Sequence, residues 1–491
     1  MEPRRTAPAP AVVEVRNLVG DTWRDALSGR RQENRNPARL GEIVSRSADS
    51  DAADVRDAVA AAAAALPAWH DLGPVRRGEI VMRAASLVRE RREEFAVAIT
   101  REQGKLLREA RGEVDRTVAL MEYTAGEGRR LGGATLPADD PRTLALTRRH
   151  PIGVVGLVTP WNFPLAIPAW KAAPALVAGC TAVLKPSPLT PYTAALLVEC
   201  LLAAGATGGV LNLVHGGRAA GEALVAEPAV SGVSFTGSVE VGRAIHTAGA
   251  PRFLRTQLEM GGKNAALVLA DADLDLAADA IVAGAFGQAG QRCSATSRVV
   301  VDRAVRDGLV ARLTARADAL TAGDGLDPDA GLGPVVSEER LRACVDGVRR
   351  AVADGASVVR GGERLGGALA DGCFMAPTVL VDVEADSFVA QEEIFGPVLS
   401  VIDCDGFEDG LRVVNSVRYG MAAAVFTGDQ SLALRALDRI DAGMLHVNRP
   451  GVGAYPHMPH VGAKESQYGP AECSPQVWDF YTEWRTACVS Y

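Results

Sequence analysis

From Pro151 onward, short apolar runs rich in valine alternate with apolar helical stretches, and turn residues separate them. The order is GVVGLVTP, WKAAPALVAG, TAVLKPS, YTAALLVECLLAAG and VLNLVHG. Parallel strands need long crossover connections, usually helices, so this alternation specifies an α/β fold with a parallel, doubly wound sheet. Such sheets bind ligands at the carboxyl ends of their strands. The chain has 491 residues, more than one hydrophobic core usually supports, so two or three domains are expected. Residues 50–130 carry helical patterns such as RRGEIVMRAASLVRERREEFAVAITREQG. A second alternating block begins near Gly261 and includes SRVVVD, VRDGLVARLTARADAL and AAAVFTGD, which read as a second α/β domain. The tail WDFYTEWRTACVSY reads as an edge strand that pairs outside its own domain.

Composition removes several functions. A net charge of −8 and a pI near 5.6 argue against a broad nucleic-acid-binding face. No run reaches the length of a membrane span, and the alanines from Ala60 to Ala65, followed by Pro67, read as a surface or packed helix. The N-terminal MEPRRTAPAPAVVEVRN has no apolar core after its arginines, so it is expected to be a loose tail and not a secretory signal. The eight cysteines form no CxxC pair and no Cys/His cluster with zinc spacing, so no metal is expected. Free cysteines in a chain this large fit the reducing cytoplasm, with most of them buried and inert.

Arginine greatly outnumbers lysine. The lysines are Lys105, Lys171, Lys185, Lys263 and Lys464, and four of these fall inside the motifs below. A compact single-point ammonium is one reason to keep lysine where arginine is otherwise used. FTGSVEVGR places Gly237 and Gly242 around a strand-to-helix turn, where backbone N–H groups and the helix dipole suit a pyrophosphate. TAVLKPSPLTP delivers Lys185 to the same sheet edge, near ribose hydroxyls or a phosphate. Read alone, either feature is common.

TPWNFP, LKPS, FTGSxxxG, LEMGGKN, FGQAGQRC and EEIFGPV occur in this order, and the series resembles the NAD(P)-dependent aldehyde dehydrogenase superfamily. The resemblance runs from Asn36-Pro37 to the aromatic tail. It implies a Rossmann-like dinucleotide-binding domain over residues 1–126 and 150–260 and an α/β catalytic domain over 261–460. It also implies a small β oligomerisation element over 127–149 and 477–491, in a homodimer or homotetramer. Thr159, Pro160, Trp161, Lys185, Ser187, Gly237, Ser238, Glu393 and Phe395 are then the cofactor contacts. Lys185 and Ser187 fall to the adenosine ribose, Gly237 and Ser238 to the pyrophosphate, and Glu393 to the nicotinamide ribose. Members that prefer NAD commonly carry a glutamate after KPS or KPA. Here the residue is Pro188, which removes one barrier to a 2′-phosphate, so either NAD or NADP is expected.

The chemistry needs a nucleophile, because an aldehyde carbonyl is not itself a ready hydride donor. A thiolate adds to give a thiohemiacetal whose oxyanion can expel hydride. By resemblance that thiol is Cys293 of GQRCSATSR. Asn162 of PWNFP and the Cys293 N–H would hold the oxyanion. Glu259 of LEMGGKN would be the general base that hydrolyses the thioester, with room to swing beside its glycines. Members that pass the acyl group to coenzyme A generally lack this glutamate. Lys171 either supports a proton path to Glu259 or is an ordinary helix-surface lysine.

The substrate is a small-molecule aldehyde. YTAGEGRRLGG, PIGVVGLVTPWNFPLAIPAWK and GQRCSATSR resemble the branch that oxidises semialdehydes with a distal carboxylate, namely the alpha-ketoglutaric and succinic semialdehyde dehydrogenases. Arg116 and Arg292 are the expected carboxylate ligands, since a guanidinium fork matches a carboxylate. Phe163, Trp170, Ser294 and His460 are further expected substrate contacts. The loop MPHVGAKESQYGPAECSP departs from the family's PFGGxKxSG-like run: His460 replaces phenylalanine, Ala463 a glycine, and the usual glutamate is displaced to Glu472. Asn448, Tyr455 and His457 are also expected to face substrate. A neutral or aromatic aldehyde of a specialised biosynthetic pathway, a coenzyme A-acylating reaction and a non-enzymatic binding role remain the competing readings.

Overall fold

The computed structural model describes residues 11–453 and 455–491. The helical N-terminal region consists of Ala52–Asp71, Gly73–Glu90, Arg92–Gln103 and a long helix, α1, over Leu107–Glu127. The alanine run and Pro67 both lie inside the first helix, whose start is fixed by Asp51: its carboxylate accepts from the Ala53 N–H, and Asp54 closes a reciprocal capping box.

The alternating region then gives β1 (Val154–Val158), α2 (Ala166–Ala178), β2 (Thr181–Lys185), β3 (Leu211–Leu213), β4 (Val230–Thr236), α3 (Val239–Gly249) and β5 (Arg255–Glu259). β1 and β2 are buried at every residue, as expected of parallel strands covered by helices on both faces. The sheet order is β5-β4-β1-β2-β3, and every pair among these is parallel. The chain therefore starts in the middle and winds outward both ways, leaving a crevice between β4 and β1. Register aligns Glu259 with Thr236, Phe235 with Val158, Val158 with Lys185 and Leu184 with Leu213. The motif residues thus arrive on one sheet edge. α2 is buried along its whole length, so its Lys171 cannot reach solvent and must find a partner inside.

The parallel reading holds for the centre and is corrected at the margins. Gln467–Tyr468 adds antiparallel to β5, and Asn17–Val19 with Thr22–Arg24 extends the other side to make eight strands. Residues 1–10 of the expected loose tail lie outside the described residues. The remainder is not loose: Val13–Val15 pairs in parallel with Ile43–Ala48, in a separate three-stranded sheet. Alternation in AVVEVRNLV was the signal, and each strand is only three residues long.

A second, seven-stranded sheet contains β6 (Asn264–Val268) beside its central strand, β7 (Thr296–Asp302). Its pairs are parallel except for Ser357–Arg360 at one edge. The aromatic tail is divided. Trp478–Tyr481 is one helical turn, and Thr482–Ser490 pairs antiparallel along Thr143–Pro151 in an outlying three-stranded sheet. Among the described residues no helix is long and apolar enough to cross a membrane.

Candidate active site

A cavity of about 260 Å³ lies between the two large sheets. α1 gives it Glu109, Gly112, Glu113 and Arg116, a spacing of i, i+3, i+4, i+7 that puts all four on one helix face. Phe163, Ala166, Ile167 and Trp170 repeat that spacing at the start of α2. Glu259 follows from the end of β5, and the segment before β7 adds Gln288, Arg292, Cys293 and Ser294. His460 completes the wall.

The cysteine loop is held by its backbone. Gln288, Ala289 and Gly290 have φ of 52°, 53° and 70°, so three successive residues are left-handed before the thiol. At Gly290 a Cβ would meet the Gly396 carbonyl at 2.2 Å, which leaves no room for a side chain. Asn264 Nδ2 donates to the Cys293 carbonyl (2.8 Å) and to the Ala295 carbonyl (2.9 Å), clamping the loop from β6. Cys293 itself is part-buried. Burial, then Glu259 and Glu393, push its thiol up to about 12, and the Ser294 N–H opposes them.

Asn162 is buried, and its Nδ2 donates to the Gln291 carbonyl at 3.2 Å. Its backbone is pinned by a residue the motifs did not include. Lys105 Nζ donates to the Asn162 carbonyl (2.7 Å) and to Glu113 Oε2 (2.6 Å). The other oxygen of Glu113 accepts the Leu165 and Ala166 N–H groups, both at 3.0 Å, at the start of α2. This buried pair therefore fixes the turn that carries Asn162. Lys105 was the one lysine outside the motifs, and its rarity in an arginine-rich chain was the available signal.

Glu259 is buried with neither carboxylate oxygen hydrogen-bonded. Burial and Glu472 raise its pKa well above the ordinary glutamate value, and Lys171 opposes them. Lys171 is fully buried, which removes the surface-lysine reading. It donates to Ser234 Oγ (2.8 Å) and forms an ion pair with Glu472. Glu472, the displaced glutamate of the atypical loop, is thus carried into the interior behind Glu259.

The two arginines of the substrate reading meet on the cavity wall. Arg292 Nε is buried without a partner, and the Glu109 carboxylate lies 4.0 Å from its Nη2. Burial lowers the Arg292 pKa, Glu109 opposes that, and Arg116 lowers it further. Phe163, Trp170, Ser294 and His460 line the same space. Three expected wall residues do not. Asn448 is exposed and bonds both the N–H and the carbonyl of Thr427. Tyr455 is exposed with its hydroxyl taking an Arg449 N–H, and His457 stacks beside it at 5.9 Å. The loop turns at this point, so polar spacing along the sequence did not translate into one facing surface.

The sheet edge beside the cavity has the features a dinucleotide needs. Gly237 lies between β4 and α3, and a Cβ there would meet the Phe235 ring at 2.4 Å. Ser238 caps α3, its hydroxyl accepting from the Val241 N–H at 3.3 Å, and leaves the first helical N–H groups facing the edge. Lys185 is buried and donates only to the Pro186 and Gly216 carbonyls, at 3.0 and 3.1 Å, and burial lowers its pKa to about 8. Ser187 is buried beside it, with its hydroxyl accepting the Leu189 N–H. The hydroxyls of Thr159 and Thr236 are buried without partners at the ends of β1 and β4. Pro160 follows Thr159, and Trp161 stacks edge-on against Phe395 at 5.4 Å. Glu393 Oε1 accepts the Gly262 N–H at 2.9 Å. Burial raises Glu393 to about 7, against the Gly262 N–H and Lys263. A Cβ on Gly261 would meet Glu393 Oε2 at 2.3 Å, so that glycine is what lets the carboxylate sit there.

Comparison with known proteins gives a consistent result. The model of the aldehyde dehydrogenase family matches residues 23–487. The chain is 40% identical over 475 residues to alpha-ketoglutaric semialdehyde dehydrogenase of Bacillus subtilis, covering 96% of this chain and 97% of that protein. It is also 40% identical over 483 residues to aminoacetaldehyde dehydrogenase of Pseudomonas aeruginosa, covering 96% and 95%. A solved NAD-dependent aldehyde dehydrogenase from Sinorhizobium meliloti superposes with a TM-score of 0.95 at 36% identity, covering 100% of this chain and 97% of that one.

Proposed function

The chain belongs to the aldehyde dehydrogenase family, and we propose that it oxidises a semialdehyde bearing a distal carboxylate to the corresponding acid, with Cys293 as nucleophile and Glu259 as base. One observation carries the substrate class: Arg116 and Arg292 stand on the wall of the cavity that holds Cys293. Two relatives at equal identity act on differently charged aldehydes by name, so overall similarity does not choose between them. A guanidinium pair favours the anionic end over the ammonium.

The chemistry follows from the placement of each group. Cys293 must lose a proton held firmly by its surroundings, and Glu259 is the carboxylate whose charge acts most on it. A raised pKa makes Glu259 a stronger base than an ordinary glutamate. The thiolate adds to the aldehyde carbon. The oxyanion is then met by Asn162 Nδ2, exchanged from the Gln291 carbonyl, and by the Cys293 N–H. When bound, NAD(P) supplies the electron-pair acceptor that converts this adduct to the oxidised level. Glu393 would hold its nicotinamide ribose, Ser238 and Gly237 its pyrophosphate, and Lys185 with Ser187 its adenosine ribose. Glu259 next takes a proton from water, the hydroxide attacks the Cys293 thioester, and the acid leaves with the thiol regenerated. Lys171 and Glu472 oppose one another in setting the Glu259 proton affinity, and we assign them to that positioning role and to proton exit.

Lys185 is bonded only to carbonyls and Pro188 follows its motif, so both NAD and NADP are proposed as acceptors. The first large sheet is proposed as the dinucleotide-binding half and the second as the catalytic half. The outlying sheet is proposed as the element that joins subunits, and the cytoplasm as the compartment.

The test is initial-rate kinetics on aldehydes of equal length with and without a terminal carboxylate. Arg116→Leu and Arg292→Leu should each raise KM for the acidic aldehydes about tenfold or more, the equivalent of one charge-assisted bond, and leave neutral ones little changed. An equal loss on both classes would show that the arginines do not read the distal charge.

A further inference from the structure

Next to the edge proposed for the dinucleotide, one guanidinium bridges three segments of the chain. Arg418 Nη2 donates to Glu392 Oε2 and to the Tyr419 hydroxyl, both at 2.8 Å, and Nη1 donates to Glu465 Oε2 at 2.9 Å. A carboxylate oxygen of Glu240 lies 3.8 Å from the same Nη2. The other oxygen of Glu465 accepts from Arg243 Nη2 at 3.0 Å.

These groups come from both halves of the molecule. Glu240 and Arg243 are on α3, the helix whose start is capped by Ser238. Glu392 is the chain neighbour of Glu393, and the strand that follows them, Val398–Cys404, belongs to the second sheet. Arg418 and Glu465 flank a short antiparallel pair, Tyr419–Gly420 with Ala463–Lys464. That pair is anchored. The Glu465 N–H donates to the Arg418 carbonyl at 3.1 Å. The Ser466 hydroxyl donates to the Gly261 carbonyl at 2.7 Å and accepts the Gly420 N–H at 2.9 Å. From this fixed base a single nitrogen of Arg418 faces α3 on one side and the Glu392–Glu393 segment on the other.

Exposure limits what each bond contributes alone. The Arg418 side chain is 35% exposed and that of Glu392 41%, and an isolated pair so placed is weak and screened by salt. Arg418 differs in that one planar fork serves carboxylates from three segments. Without it, Glu240, Glu392 and Glu465 remain as like charges around one centre. Their repulsion pushes the start of α3 away from the segment that carries Glu393.

We infer that Arg418 is a positioning residue that latches the dinucleotide cleft, tying the α3 start to the Glu392–Glu393 segment so that both grip one cofactor. This rests on the reading of that edge as the dinucleotide site. The consequence is a difference between ligands. An intact dinucleotide spans α3 and Glu393 and needs the latch, whereas AMP occupies only the adenosine end at Lys185 and Ser187 and does not.

The experiment measures Kd without turnover, for NADH and NADPH by energy transfer from tryptophan and for AMP by competition. Trp161, edge-on to Phe395, is a built-in reporter. R418Q should raise the Kd of the reduced dinucleotide about fivefold or more and leave that of AMP within about twofold. R418K, which keeps the charge, should recover part of the loss. E240Q should weaken dinucleotide binding in wild type and change it little in R418Q, because the two residues share one contact. A ratio of dinucleotide to AMP affinity that is the same in wild type, R418Q and R418K would overturn the latch and leave the dinucleotide reading standing. Wild type that binds neither NADH nor NADPH would overturn the dinucleotide reading itself, and the latch with it.

Discussion

At Cys293 the surrounding charges work against the thiolate, with Glu259 and Glu393 both raising its pKa and Asn162 offering only a dipole. The site therefore depends on how its carboxyls share protons. Glu393 provides a clean test of that electrostatic state. Its folded pKa of about 7 lies above the unfolded value of 4.5, so its contribution to stability is complete below pH 4.5 and is lost as pH rises through 7. Glu393→Gln has no proton to lose and can still accept the Gly262 N–H. In the cofactor-free protein its stability relative to wild type should grow between pH 4.5 and 7 and then level off, at up to about 3 kcal/mol. Urea unfolding at several pH values would measure this. A gain that shrinks with pH would mean the Gly262 N–H and Lys263 hold Glu393 ionised. At this scale much of the site was legible. Cys293, Glu259, Asn162 and Arg292 stand in ordered motifs; Cys293, Glu259 and Arg292 line the cavity, and Asn162 is bonded to the Gln291 carbonyl of the cysteine loop. Asn448, Tyr455 and His457 did not follow, because a loop's side-chain directions depend on turns that carry no periodic signal.

At the scale of elements, α1 and the start of α2 behave as one device. The i, i+3, i+4, i+7 face of α1 presents Glu113 and Arg116 together: one caps the neighbouring helix, the other faces the cavity. Lys105 and Glu113 are both 0% exposed in their side chains. Removing one partner leaves an uncompensated buried charge, so Lys105→Met should cost about 3–5 kcal/mol. Adding Glu113→Gln to that variant should recover part of the loss, since the stranded carboxylate is gone. Additive losses in thermal unfolding would show that the two residues act separately. The strands and helices here were readable because apolar runs have a period. The coupling was not, because Lys105 and Asn162 are 57 residues apart and meet only through tertiary packing.

The whole molecule places two sheets so that the edge of one, proposed to hold the dinucleotide, opens on the cysteine loop of the other. The alternating pattern identified both sheets, but it could not place the first strands of the chain. Val13–Val15 and Asn17–Val19 join two different sheets within seven residues, too short a stretch for periodicity to register. The doubly wound order brings Glu259 to the edge beside the cavity, and the second sheet brings Cys293 to meet it. In the proposed reaction this arrangement serves acylation at Cys293 followed by hydrolysis through Glu259. The most direct test is Glu259→Gln mixed with NAD(P) and a semialdehyde, followed by rapid quench and intact-mass analysis. A burst of about one reduced cofactor per active site, with the acyl group retained as a thioester on the Cys293 peptide, is the expected result. Steady turnover at the wild-type rate with no acyl adduct would contradict the assignment of Glu259, and no cofactor reduction together with an unmodified Cys293 would contradict the chemistry as a whole.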